Sequence, residues 1–127
     1  MKLEYLPDGS IDCPLLRLYE FETREVSELR TKVAELAHGS SISVALHDLN
    51  FITPIDECQL VFIVGNDDMG ILSSDSASLF MCVLSQASWE NIEGLIEPFC
   101  KPEGSNGYQW LDETSDISLL LSPTGSW

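Results

Sequence analysis

Leu60–Val64 and Leu79–Leu84 are apolar at every position. A strand sends successive side chains to opposite faces, so one solvated face would put a polar residue at every second position. These two runs lack that alternation. Each reads as a central strand that needs cover on both faces. No other feature restricts the fold as strongly. Helices can cover one face. The other must be covered by the hairpins at the ends of the chain or by a partner subunit, and a homodimer would meet the need.

The flanking sequence supplies the helices. Val26, Leu29, Val33, Leu36 and Ala37 recur at helical spacing. Thr23 can cap the start, Glu25 and His38 match the dipole, and Gly39 can end it. This predicts a helix over about residues 24–38. Trp89, Ile92, Leu95, Ile96 and Phe99 mark a second helix, capped by Ser85 or Ser88 and ended near Pro98.

Turn residues divide the rest. Leu6-Pro7-Asp8-Gly9-Ser10 predicts a hairpin of Lys2–Leu6 with Ile11–Cys13, followed by a strand Leu15–Phe21. Ser41–His47 reads as a strand. Gly65–Gly70 reads as the loop of a hairpin that returns at Ile71-Leu72. Lys101–Gly107 reads as a loop. Tyr108–Leu111 and Ile117–Leu121 should pair around the acidic turn Asp112–Asp116. A chain of 127 residues is the size of one domain, here 1–127. The expected fold is α+β: a mainly antiparallel sheet with two helices on one face, in an element order that resembles ferredoxin-like folds.

Charge limits the partners. Residues 33–127 hold fourteen carboxylates and one base, Lys101, a net −13; the first 32 residues carry −2. Nucleic acid and anionic membrane surfaces both draw affinity from Lys and Arg, so both are excluded as partners. A basic protein, a cationic ligand or a divalent metal suits the surface. No stretch approaches the roughly 20 apolar residues of a membrane span. Met1–Leu6 lacks the pattern of a signal peptide. Cys13, Cys58, Cys82 and Cys100 form no C-x-x-C, so a cytoplasmic protein with reduced, buried thiols and no cofactor is expected.

Three groups of residues invite a site. Glu90, Glu93 and Glu97 share one face of the second helix without a base on that helix, forming an acidic ridge for a basic partner. Trp127 is an aromatic side chain in a polar C-terminal segment, set either to fold back or to contact a partner. Asp67 and Asp68 are the nearest approach to an oxygen-rich metal site, although the D-x-D-x-D-G calcium loop is absent. His47 precedes Asp48, but a catalytic histidine is ordinarily oriented by a carboxylate from elsewhere in the fold. Cys58 and Cys82 sit in or beside apolar strands, where thiols are inert. The expectation is a small acidic binding or regulatory module for a basic protein partner, rather than an enzyme. The alternative is a small enzyme, or a ligand- or metal-binding protein, using His47 and carboxylates.

Overall fold

The two all-apolar runs lie side by side as parallel strands in the middle of a four-stranded sheet. The computed structural model describes residues 1–102 and 107–127. Residues 103–106 of the predicted Lys101–Gly107 loop lie outside the described residues. In chain order the strands are β1 (Lys2–Leu6), β2 (Leu15–Tyr19), β3 (Ser43–Ala45), β4 (Thr53–Pro54), β5 (Gln59–Val64), β6 (Gly70–Ser73), β7 (Leu79–Leu84), β8 (Gln109–Asp112) and β9 (Ser118–Ser122). The helices are α1 (Thr23–Ala37) and α2 (Gln86–Ile96). Two 3-10 turns, Leu46–Asp48 and Glu97–Cys100, continue β3 and α2.

The α+β class holds, but the strands form two mixed sheets instead of one mainly antiparallel sheet. Their orders are β4-β1-β2-β9-β8 and β3-β5-β7-β6, and the ferredoxin-like order is not confirmed. The centre of each sheet is a parallel pair, β2 with β9 and β5 with β7. Antiparallel pairs flank it. Exchanging the halves β1-β2-α1-β3-β5 and β6-β7-α2-β8-β9 converts β1-β2-β9-β8 into β6-β7-β5-β3. Each sheet is therefore built from one hairpin of each half. The equivalence extends to the edges. At β1, Thr53 N–H donates to Met1 O and Ile55 N–H to Leu3 O, both at 2.8 Å. At β6, the Ser115 hydroxyl accepts from Ile71 N–H (3.1 Å) and donates to Ile71 O (2.8 Å).

Two predicted hairpins re-pair. The partner of β1 is Leu15–Tyr19, in the register Lys2↔Tyr19 to Leu6↔Leu15, and not Ile11–Cys13. Pro14 lacks the N–H a paired strand needs, so pairing starts only beyond it. β5 and β6 are not paired either. β7 inserts between them, antiparallel to β6 and parallel to β5. The loop Gly65–Met69 therefore spans the width of a strand.

α1 begins one residue earlier than predicted. Glu22 is its cap, in a capping box in which the Glu25 side chain accepts the Glu22 N–H at 2.9 Å. Glu25 also accepts the Met1 ammonium at 2.7 Å. Gly39, at φ +81, ends the helix. Ser85 caps α2 by accepting the Ser88 N–H. Leu3, Leu16, Leu18, Leu119 and Leu121 from one sheet and Leu60, Phe62, Phe80, Cys82 and Leu84 from the other share one core with Val26, Leu29, Val33, Trp89 and Ile92 of the helices. Phe62 packs on Trp89 with ring centroids 4.7 Å apart, and Trp89 Nε1 donates to Ile63 O at 3.1 Å. Among the described residues, no helix is long and apolar enough to cross a membrane.

Candidate functional site

The two sheets treat their outer faces differently. On the five-stranded sheet, Leu15, Tyr19 and Leu120 are buried on the side away from the core. The closing segment Pro123–Trp127 lies against this side. Arg17 anchors it, donating through Nη1 to Gly125 O at 2.8 Å. The same guanidinium holds Glu4 through Nε (2.9 Å) and Nη2 (2.6 Å) and stacks 3.9 Å above the Tyr19 ring centroid. Gly125 sits at φ +86, and a Cβ there would stand 2.9 Å from the Tyr19 ring. Only glycine lets the backbone come this close.

The four-stranded sheet has no such strap among the described residues. Its inner positions, Val44, Leu60, Phe62, Ile71, Phe80 and Cys82, belong to the core. Its outer positions form rows set by the strand register. One row is Ala45, Val61, Met81 and Leu72; the next is Ser43, Ile63, Val83 and Gly70; Gln59 and Leu79 make a third. All seven apolar side chains in these rows are part-exposed, and none belongs to the core cluster. No charged residue occurs among them. Ile42 (78% exposed) and Met69 (53%) extend the patch at one end. Ile42 O accepts the Val64 N–H, and Met69 N–H donates to Val83 O.

Carboxylates occupy the strand connections at the two ends of this sheet. Residues 42–84 carry Asp48, Asp56, Glu57, Asp67, Asp68 and Asp75 and no Lys or Arg. All six are exposed, and all lie in connections between strands. Four of the six bases pair elsewhere: Lys2 with Glu20, Arg17 with Glu4, Arg30 with Glu93 and Glu97, Lys32 with Glu35. Among the described residues, no Lys or Arg pairs with any of the six, and His47 Nε2 lies 3.8 Å from Asp48 Oδ1.

The residues singled out from the sequence are scattered. Glu93 accepts from Arg30 Nε at 3.1 Å, and Glu97 lies 3.8 Å from Arg30 Nη2. The ridge thus has a base after all, contributed by α1, which leaves Glu90 without a paired base among the described residues. Trp127 folds back, and its Nε1 donates to Asp12 Oδ2 at 3.0 Å. Asp68 Oδ1 accepts the Ser85 N–H at 2.8 Å, at the start of α2. That bond, with the hydroxyls of Ser88 and Ser85, holds its carboxyl below the usual range. Asp67 is exposed in the same loop. Among the described residues, no group of three His, Cys, Asp or Glu side chains is placed to hold a metal.

His47 and Cys58 do meet. They line a cleft of about 370 Å³ with Pro54, Glu57, Gln59 and Ser78. A neighbouring cleft of about 310 Å³ shares Cys58 and Ser78 and adds Tyr5, Asp56 and Phe80. Asp56 and Glu57 adopt left-handed conformations, φ +53 and +62, in the turn between them. The chemistry of the pair is restrained. His47 Nδ1 accepts the Leu60 N–H at 3.2 Å, which places the neutral ring's proton on Nε2. Burial pushes the Cys58 thiol up to about 11, with the Glu4 charge adding to it, so the nucleophilic thiolate is scarce near neutrality.

Sequence reasoning gave the two apolar strands a second face that needs cover, but not the strand register that sets the rows of that face. The signal for the face was present: in both strands, the residues at every second position are apolar where a solvated face would be polar. No known family model matches the chain, and no curated protein or solved structure matches it.

Proposed function

We propose that this protein is a non-catalytic binding module for a basic protein partner. One observation carries the reading: the six carboxylates of residues 42–84 are exposed, and among the described residues no Lys or Arg pairs with them. An uncompensated field of one sign speeds the encounter with a partner of the other sign and repels competitors. Glu90 adds to the field from α2, while Arg30 reduces what Glu93 and Glu97 contribute.

The test is salt dependence of binding to a lysine-rich peptide, with and without Glu57→Gln, Asp67→Asn and Asp75→Asn together. Asp68 is left intact because it bonds the start of α2. We expect affinity to fall at least tenfold between 50 and 300 mM salt, and the triple variant to lose a similar factor at low salt. Affinity indifferent to both changes would remove the proposal.

A second reading, a small-molecule site, is favoured by the cleft that joins His47, Cys58 and Glu57. A ligand held there would raise the melting temperature progressively as its concentration exceeds its dissociation constant. His47→Ala would abolish that shift.

A further inference from the structure

We infer that the outer face of the four-stranded sheet is where the partner docks, and that the partner presents an apolar centre bordered by lysine or arginine. The inference rests on the proposed function for the sign of the border; the apolar centre stands on separate observations.

The face is unlike solvated sheet surface. Ala45, Val61, Ile63, Leu72, Leu79, Met81 and Val83 adjoin in register without one charged residue among them, in a chain with 21 carboxylates. Ile42 and Met69 prolong the patch rather than close it. A contiguous exposed apolar area beside polar residues marks an interaction surface. The other sheet provides an internal comparison. Its outer face buries Leu15, Tyr19 and Leu120, with Pro123–Trp127 strapped against it through Arg17. Exchanging the two halves puts the four-stranded sheet in the equivalent place, and it has no strap among the described residues. No described element of this chain covers it, and another molecule can.

Charge selects among the molecules that could provide that cover. Sheets packed face to face lie about 10 Å apart. A second copy on this face would set the six carboxylates of each copy at the ends of sheets about one Debye length apart at physiological salt. An anionic lipid surface meets the same repulsion. A basic border instead meets Asp48, Asp56, Glu57, Asp67 and Asp75 with opposite charge while its apolar centre covers Val61 and Met81. The partner is therefore a different, basic protein.

Three ten-residue peptides test this: alternating Leu and Lys, alternating Ser and Lys, and alternating Leu and Glu. The readouts are titration and backbone amide shifts at 50 mM salt, with sedimentation of the protein alone. The Leu-Lys peptide should shift the amides of Val61, Ile63, Met81 and Val83. It should bind at least tenfold more tightly than either of the others, and Met81→Glu should lose at least tenfold. Met81→Ser, which adds no charge, guards against a folding defect and should lose severalfold. Equal binding of the Ser-Lys peptide would overturn the apolar centre and leave the proposed function standing. Equal binding of the Leu-Glu peptide would overturn the basic border and the proposed function with it. Shifts confined to α2 or to the His47 cleft would move the site elsewhere. A dimer at 50 mM salt that Met81→Glu dissolves would identify a second copy as the cover, and the inference would fall.

Discussion

Val61 of β5 and Met81 of β7 stand next to each other in a parallel ladder, on the side of the sheet away from the core. Their neighbours in sequence, Phe62 and Cys82, are paired in the next rung and are buried. One residue of displacement separates a side chain that holds the fold from one that is free to hold something else.

That contrast should be measurable in stability. Phe62→Ala removes a ring packed 4.7 Å from Trp89 and should cost about 3–5 kcal/mol. Val61→Thr and Met81→Ser should stay within about 0.5 kcal/mol of the parent, as surface substitutions do. Urea unfolding followed by tryptophan fluorescence separates the two. A loss of several kcal/mol at Met81 would mean that its side chain is structural.

Arg17 should prove to be the latch of the closing segment. Arg17→Met removes its bonds to Glu4 and to Gly125 O and should cost about 2 kcal/mol. Amide exchange of residues 124–127 should accelerate. Arg17→Lys should restore little, because an ammonium cannot bond Glu4 through two nitrogens while stacking on Tyr19. Full rescue by lysine would show that charge alone suffices.

Acid should weaken the start of α1. Burial raises the Glu25 pKa, but bonds to the Met1 ammonium and the Glu22 N–H outweigh it and hold the carboxyl below its ordinary value of 4.5. The stability this group contributes is present above about pH 4.5 and is lost as pH falls through the lower, folded value. Glu25→Gln should cost about 1 kcal/mol at pH 7 and should flatten the loss of stability below pH 4.5. An unchanged acid slope would place that loss in other carboxylates.

The thiols should divide by burial. Cys58 and Cys82 are buried and their thiols are raised, Cys58 to about 11, while Cys13 and Cys100 are part-exposed. At pH 8 the native protein should therefore alkylate at Cys13 and Cys100 first. Cys58 should react about a hundredfold more slowly than a free thiol, and all four should react in denaturant. Rapid labelling of Cys58 by peptide mapping would signal an open His47 cleft.

The local elements were readable in the sequence because their causes lie within a few residues. The 3.6-residue stripes of α1 and α2, the glycine at position 39, the serine at 85 and the alternation broken in β5 and β7 each concern neighbours separated by four positions or fewer. The pairings that make the sheets are of another kind. β2 meets β9 across about a hundred residues, β7 enters between β5 and β6, and Arg30 reaches Glu93 from a different helix. Parallel pairing has no turn chemistry to announce it, and an ion pair between helices depends on their relative rotation. Composition and local pattern thus determined an acidic α+β chain whose central strands are apolar on both sides. Tertiary structure alone decided which side the core would use. One core takes the inner faces of both sheets, the closing segment takes one outer face, and the chain has no described element left for the other.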